Sequence, residues 1–177
     1  MSQERFLRGF TLVADDTVST SLVIDTMKLP VMEEKHFDFT PGGSSGEIEV
    51  PLGVTNKLRL PFTLADDNYD IQRLFNLPPG QRTSWTASKM LVDENDPSGR
   101  AIEKSIDVLG RLMKIDPKEM SGGEKAGYDY EIGAVRFYRE VDDGKVLWEF
   151  NHRLGGWTIR DGVEVNKDRR RILRLGG

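Results

Sequence analysis

With 37% apolar and 31% charged residues among 177, the chain has the balance of one soluble globular domain that can bury a core, which excludes wholesale disorder. No run is long enough to cross a bilayer and residues 1–5 lack the layout of a secretory signal, so the expectation is a protein assembled in a cytoplasm without a membrane partner; the absence of cysteine excludes disulfides and thiolate metal sites and leaves the redox compartment undetermined. The net charge of −4 is unevenly spread: residues 167–174 hold five basic side chains and one acidic, leaving 20 basic and 28 acidic elsewhere, and an acidic body argues against gripping duplex DNA as the main task.

Residues 6–14 and 21–28 read as strands joined by an Asp15-Asp16-Thr17 turn. Residues 32–39 alternate without a cleanly apolar face, the pattern of a strand set between water and a partner. Thr40-Pro41-Gly42-Gly43-Ser44-Ser45-Gly46 has almost nothing to bury and reads as a mobile loop. Two alternating runs follow it, Ile48, Val50 and Leu52, then Leu58, Leu60, Phe62 and Leu64. A turn at Gly53-Val54-Thr55 sets Val50 against Leu58, Ile48 against Leu60 and Glu49 against Arg59, which predicts a hairpin. Pro51 and Pro61 each remove a ladder donor, so both strands are expected at an edge. Residues 28–64 thus form the stretch around which the chain is organised, with more sheet edge than one small domain covers.

Asp66 and Asp67 are expected to cap a helix of about three turns with Ile71, Leu74 and Phe75 on its apolar side, stopped by Leu77-Pro78-Pro79-Gly80. Strands are then expected over residues 81–92, 101–115, 128–141, 145–152, 157–160 and 163–165, with Asp142-Asp143-Gly144 and Asp161-Gly162 as tight turns. Strand after strand with one short flanking helix implies a mainly β, antiparallel sandwich or barrel in a single domain, residues 1–177.

Residues that could carry chemistry are sparse. His36 and His152 lie on different predicted strands, and neither Gly42-Gly43-Ser44-Ser45-Gly46 nor Ser121-Gly122-Gly123-Glu124 has the lysine and helix of a phosphate loop. The acidic loop at residues 93–99 fails as a calcium site, because Pro97 takes a ligand position and Lys104 stands where a closing glutamate belongs. No catalytic group, metal or cofactor is expected. Arg169-Arg170-Arg171 has no interleaved aromatic residue, and Ile172, Leu173 and Leu175 suit docking on protein. Two rival readings stay open, a monomeric barrel binding a ligand among Trp85, Trp148 and Trp157, and an enzyme using His36 or His152.

A resemblance runs across nearly the whole chain. It is carried by Leu29-Pro30, Gly46, Val50-Pro51-Leu52-Gly53-Val54, the helix after Thr63-Leu64, Gly110-Arg111, Lys114-Ile115-Asp116, Glu131-Ile132, Asp143-Gly144-Lys145 with Leu147 and Glu149, Asp161-Gly162-Val163, and Arg169-Arg170 with Leu175-Gly176. In order and spacing these resemble the major tail tube proteins of contractile-tailed, P2-like phages and of phage-tail-like bacteriocins, with the Hcp-like tubes of secretion machines as a related architecture. Residues 77–82 and 93–100 have no clear counterpart in that family.

The resemblance implies a structural virion protein, assembled in the host cytoplasm, that forms stacked hexameric rings whose inner sheets join edge to edge around a lumen. DNA would pass through without specific binding. It also implies partners: further copies of itself, the sheath, baseplate or tube initiator proteins, the tape measure and the tail terminator. Carried onto this sequence, the contacts between subunits and rings fall on Gly42, Gly43, Ser44, Ser45, Gly46, Glu47, Glu49, Val50, Leu52 and Gly53, within a projecting element of residues 40–53. Arg169, Arg170 and Arg171 of the basic segment 167–177, and residues 1–8, are further contact expectations.

Overall fold

Runs that alternate between apolar and polar side chains fold as strands here, and the apolar faces of the main sheet converge on one core. The computed structural model describes residues 4–43, 45–123 and 127–176. Its strands are β1 (Arg5–Ala14), β2 (Val18–Ser19), β3 (Ile24–Met27), β4 (Glu34–Phe39), β5 (Ile48–Thr55), β6 (Leu60–Leu64), β7 (Thr83–Asp93), β8 (Ala101–Pro117), β9 (Tyr128–Asp142), β10 (Lys145–Asn151), β11 (Gly156–Arg160) and β12 (Val163–Glu164). Two helices, α1 (Tyr69–Gln72) and α2 (Lys167–Leu173), and a 3-10 turn at His152–Leu154 complete the elements.

The main sheet runs β2-β1-β7-β8-β9-β10-β11-β12, with antiparallel neighbours throughout. It forks at β9. One edge of β9 pairs with β8 along its length, while the other pairs with β6 from Tyr128 to Ile132 and with β10 from Phe137 to Asp142. Between these two partners Ala134 takes a left-handed φ of 48°, which breaks the ladder and lets the arms diverge. Gly110 on β8 faces this break, where an added Cβ would stand 2.9 Å from Ile132 Cγ2 and 3.0 Å from the Gly133 carbonyl oxygen. Close backbone approach requires glycine there.

The sheet curls strongly. Phe62 on β6 and Trp85 on β7 are three strands apart in sheet order, about 14 Å in a flat sheet, yet their ring centroids are 5.9 Å apart. Leu12, Ala14, Trp85, Ala87, Ile106, Val108 and Tyr138 meet Leu58, Leu60, Phe62 and Leu64 in one buried cluster. The run of residues 58–64 therefore buries the face its period predicts. Within the core, Glu140 is a buried carboxylate that accepts a hydrogen bond from Tyr138 Oη at 2.8 Å and pairs with Lys104. Burial raises the Tyr138 pKa far above its usual value, and Glu140 adds to the effect. Lys89 stands directly opposite Lys104 on β7, and partial burial followed by that like charge lowers its pKa.

Several sequence expectations are corrected, the edge placement of the Pro61 strand among them, since β6 lies between β3 and β9. The hairpin does not join β5 to β6: β5 pairs with β4, so Glu49 lies opposite Asp38 and Val50 opposite Phe37, while Arg59 pairs with Glu131. Core burial claims β6 for β3 and β9, which outweighs the local register that residues 53–55 offered. The helix after Asp66 and Asp67 is one turn long, capped by the Asn68 side chain accepting from Ile71 N at 3.1 Å, and Asn76 turns left-handed before Pro78. A second helix, α2, lies in the basic segment read without one. Trp85 is fully buried in the core, and Trp148 and Trp157, edge to face at 6.3 Å, pack partly buried against it, so the three are engaged in packing. A surface depression of about 350 Å³ between β3, β6 and β9 has no tryptophan in its wall.

Candidate assembly interface

The strands β4 and β5 make a two-stranded ribbon of their own, separate from the main sheet. Period two divides it into opposite faces: Phe37, Phe39, Ile48, Val50 and Leu52 on one, and His36, Asp38 and Glu49 on the other. The apolar face is uncovered, with Phe37 and Phe39 each 48% exposed and Leu52 51%. An isolated two-stranded ribbon is marginal in water unless something packs on it. On the polar face Asp38 and Glu49 stand directly opposite each other, a like-charge pairing that favours a nearby cation, and His36 Nε2 lies 3.9 Å from Glu49 Oε1. Ligand atoms of these three residues lie within 4.8 Å of one another, but all are exposed and nothing encloses them.

The ribbon is fixed at its root. Trp157 Nε1 on β11 donates to Thr55 Oγ1 at 3.1 Å, Asn56 Nδ2 donates to Glu33 Oε2 at 2.7 Å, and the Gly53 amide donates to Glu34 Oε1 at 3.0 Å. Gly53 has a φ of 65°, which its lack of a side chain permits. Gly42, Gly43, Ser45, Gly46 and Glu47 form the exposed loop at the far end, and Ser44 lies outside the described residues. Glu49 and Leu52 are exposed and Val50 half-buried, so the described residues among those expected at the interface here lie on one ribbon and its end loop.

Arg169, Arg170 and Arg171 stand apart from the ribbon, on α2. Asn166 precedes this helix and donates from Nδ2 to the Leu154 carbonyl at 3.2 Å, while Leu175 packs so close to Gly155 that a Cβ there would meet it at 2.6 Å. Arg170 is held by Glu164, and Arg171 lies 3.4 Å from Asp168, a contact within its own helix. Arg169 is exposed, beside the exposed apolar residues Ile172 and Leu173, and Val163 on neighbouring β12 is 63% exposed. The ion pairs of Arg170 and Arg171 go to Glu164 and Asp168, neither of them on the ribbon.

Residues 1–3 lie outside the described residues, and Arg5 to Arg8 belong to β1, where Arg5 pairs with Asp142 and Arg8 with Glu94. β2 pairs with β1 only at Val13 and Ala14, so the outer edge of β1 from Phe6 to Thr11 carries no strand among the described residues. His152 sits in the 3-10 turn, on a different element from His36. Phe37, Phe39 and Asp38, absent from the expected interface, complete the ribbon. Their signal was the alternation of Phe37 and Phe39 with His36 and Asp38, which read as a strand between water and a partner but did not show that β4 pairs with β5.

An antiparallel β body with an uncovered ribbon and an open sheet edge has the build of a structural module completed by neighbours. Residues 4–173 match the family described as phage tail tube protein FII, and the chain belongs to that family. It is a structural protein of the phage tail tube and not an enzyme. No curated protein sequence matches it. Its fold is similar to the sheath/tube terminator of an extracellular contractile injection system, PVC, in the extended state, at 9% identity and a TM-score of 0.50, over 76% of this chain and 93% of that one.

Proposed function

We propose that this protein forms hexameric rings that stack into the inner tube of a contractile phage tail, a conduit through which DNA passes without specific binding. The observation that carries the reading is the β4–β5 ribbon, whose apolar face is exposed in the single chain. Covering that face on a neighbour removes apolar area from water at about 25 cal/mol per Å². The open edge of β1 adds a site where a neighbouring strand continues the sheet, which suits rings joined edge to edge. Acidic residues outnumber basic ones, so a lumen lined by this body would repel DNA phosphate. The sheath would bind outside the tube, the tape measure inside, and the initiator of the baseplate and the terminator at its two ends, with assembly in the host cytoplasm.

Deleting residues 41–45 shortens the tip of the ribbon without touching the core. The expected product is a folded monomer that does not stack, seen by negative-stain electron microscopy beside wild-type tubes. Normal tubes from the deletion variant would remove the ribbon from the stacking contact.

A further inference from the structure

We infer that the β4–β5 ribbon of one copy docks on the β12–α2 corner of a second copy, its apolar face covering Ile172 and Leu173 while its carboxylates meet Arg169 and Arg171. The inference rests on the self-assembly reading above and names the surface that receives the ribbon.

Two uncovered apolar surfaces exist on the same chain and neither covers the other. On the ribbon these are Phe37, Phe39 and Leu52, and at the corner Ile172 and Leu173 of α2, 68% and 56% exposed. Their charges are opposite. The ribbon and its flanks carry Glu33, Glu34, Asp38, Glu47 and Glu49 against Lys35, whereas α2 and its cap carry Lys167, Arg169, Arg170, Arg171 and Arg174 against Asp168. Glu33 and Glu34 are engaged at the root of the ribbon and Arg170 is engaged by Glu164, which leaves Asp38 and Glu47 on one side and Arg169 and Arg174 on the other, while Glu49 and Arg171 join the contact by exchanging their exposed local partners His36 and Asp168.

The opposed pair Asp38 and Glu49 is costly without a cation, and a guanidinium supplies one with donors suited to carboxylates. Glu47 immediately precedes Ile48 at the rim of the apolar face, and a two-stranded ribbon has no third strand to stop a long arginine from curling around its edge. Apolar burial supplies affinity, and the charges set register and reject wrong partners. The two surfaces differ, so in a head-to-tail arrangement a copy that has docked its ribbon still offers its corner and the contact repeats from copy to copy, whereas a reciprocal two-fold pair would stop at a dimer.

The chain has no cysteine, so an introduced pair reports one contact cleanly. The full-length L52C/I172C variant, assembled and then oxidised, is expected to give a ladder of covalent multimers on a non-reducing gel, with no ladder from either single variant or from dilute monomer. In parallel, E47K/E49K and R169E/R171E are each expected to raise the concentration needed for assembly about tenfold, and the four changes together to restore it. Wild-type-like tubes that give no ladder and assemble equally well with each charge reversal overturn the docking inference and leave the tube reading standing. Wild-type protein that forms neither rings nor tubes, even when seeded, overturns the tube reading and the docking with it.

Discussion

Tyr138 and Glu140 form the most consequential polar pair in the core, because a buried carboxylate is tolerated only while its partners stay in place. Tyr138→Phe removes the donor and leaves Glu140 with Lys104, at an expected cost of about 1–3 kcal/mol in a denaturant titration. The same residue dictates an alkaline signature. The unfolded chain releases the phenolic proton near a pKa of about 10, whereas burial holds the folded one above that. This contribution is therefore complete below pH about 10 and is lost as pH rises further. Lys89 acts in the opposite sense: its folded pKa is depressed, so its penalty fades as it deprotonates. The comparison of wild type with Tyr138→Phe isolates the tyrosine, and the stability gap between them is expected to narrow above pH about 10. A gap that is constant with pH would show that Tyr138 ionises alike in both states.

The ribbon is the element whose partner sequence reasoning missed, and the reason is competition between local and global terms. Residues 48–52 and 58–64 alternate equally well, and a Gly53-Val54-Thr55 turn would put Val50 against Leu58 at no local cost. What local pairing does not weigh is that Leu58, Leu60, Phe62 and Leu64 fill the main core, which pulls β6 onto β9 and leaves β5 to β4. The long strands β7 to β10 were legible almost to the residue, since their alternation and the tight turns at Asp143-Gly144 and Asp161-Gly162 agree with the global fold. The left-handed conformations in both turns, with φ of 48° at Asp143 and Asp161, are those that Asp and Gly accommodate. Helix α2 escaped notice because a short run of arginines has no apolar stripe of its own and is held instead by Asn166, Leu175 and the glycine at 155. At the scale of the element, the Trp157 to Thr55 hydrogen bond ties the ribbon to the body. Thr55→Val is expected to change global stability by about 1 kcal/mol or less while speeding amide exchange across β4 and β5 several-fold. Exchange unchanged in the ribbon would mean that Glu33, Glu34 and Asn56 hold the root alone.

At the scale of the whole molecule, the question is how one chain can carry an arginine-rich segment and still belong to a conduit that lets DNA pass. The net charge of −4 combines an acidic body with a basic tail, and an accessible cluster of arginines attracts phosphate without regard to sequence. In the docked arrangement inferred above, the carboxylates of a neighbour's ribbon occupy Arg169 and Arg171, so assembly removes the groups that would retain DNA. Free monomer and assembled tube are thus expected to differ. Monomer would retard duplex DNA weakly in a gel at low salt, with the retardation vanishing at physiological ionic strength as counterions compete. Tubes would show none at either salt concentration. R169E/R171E should abolish the retardation by monomer, which assigns it to α2. Retention of DNA by wild-type tubes that weakens with salt and disappears with the same charge reversals would place those arginines at the surface of the assembled tube, uncovered by any ribbon, and would contradict passage without binding.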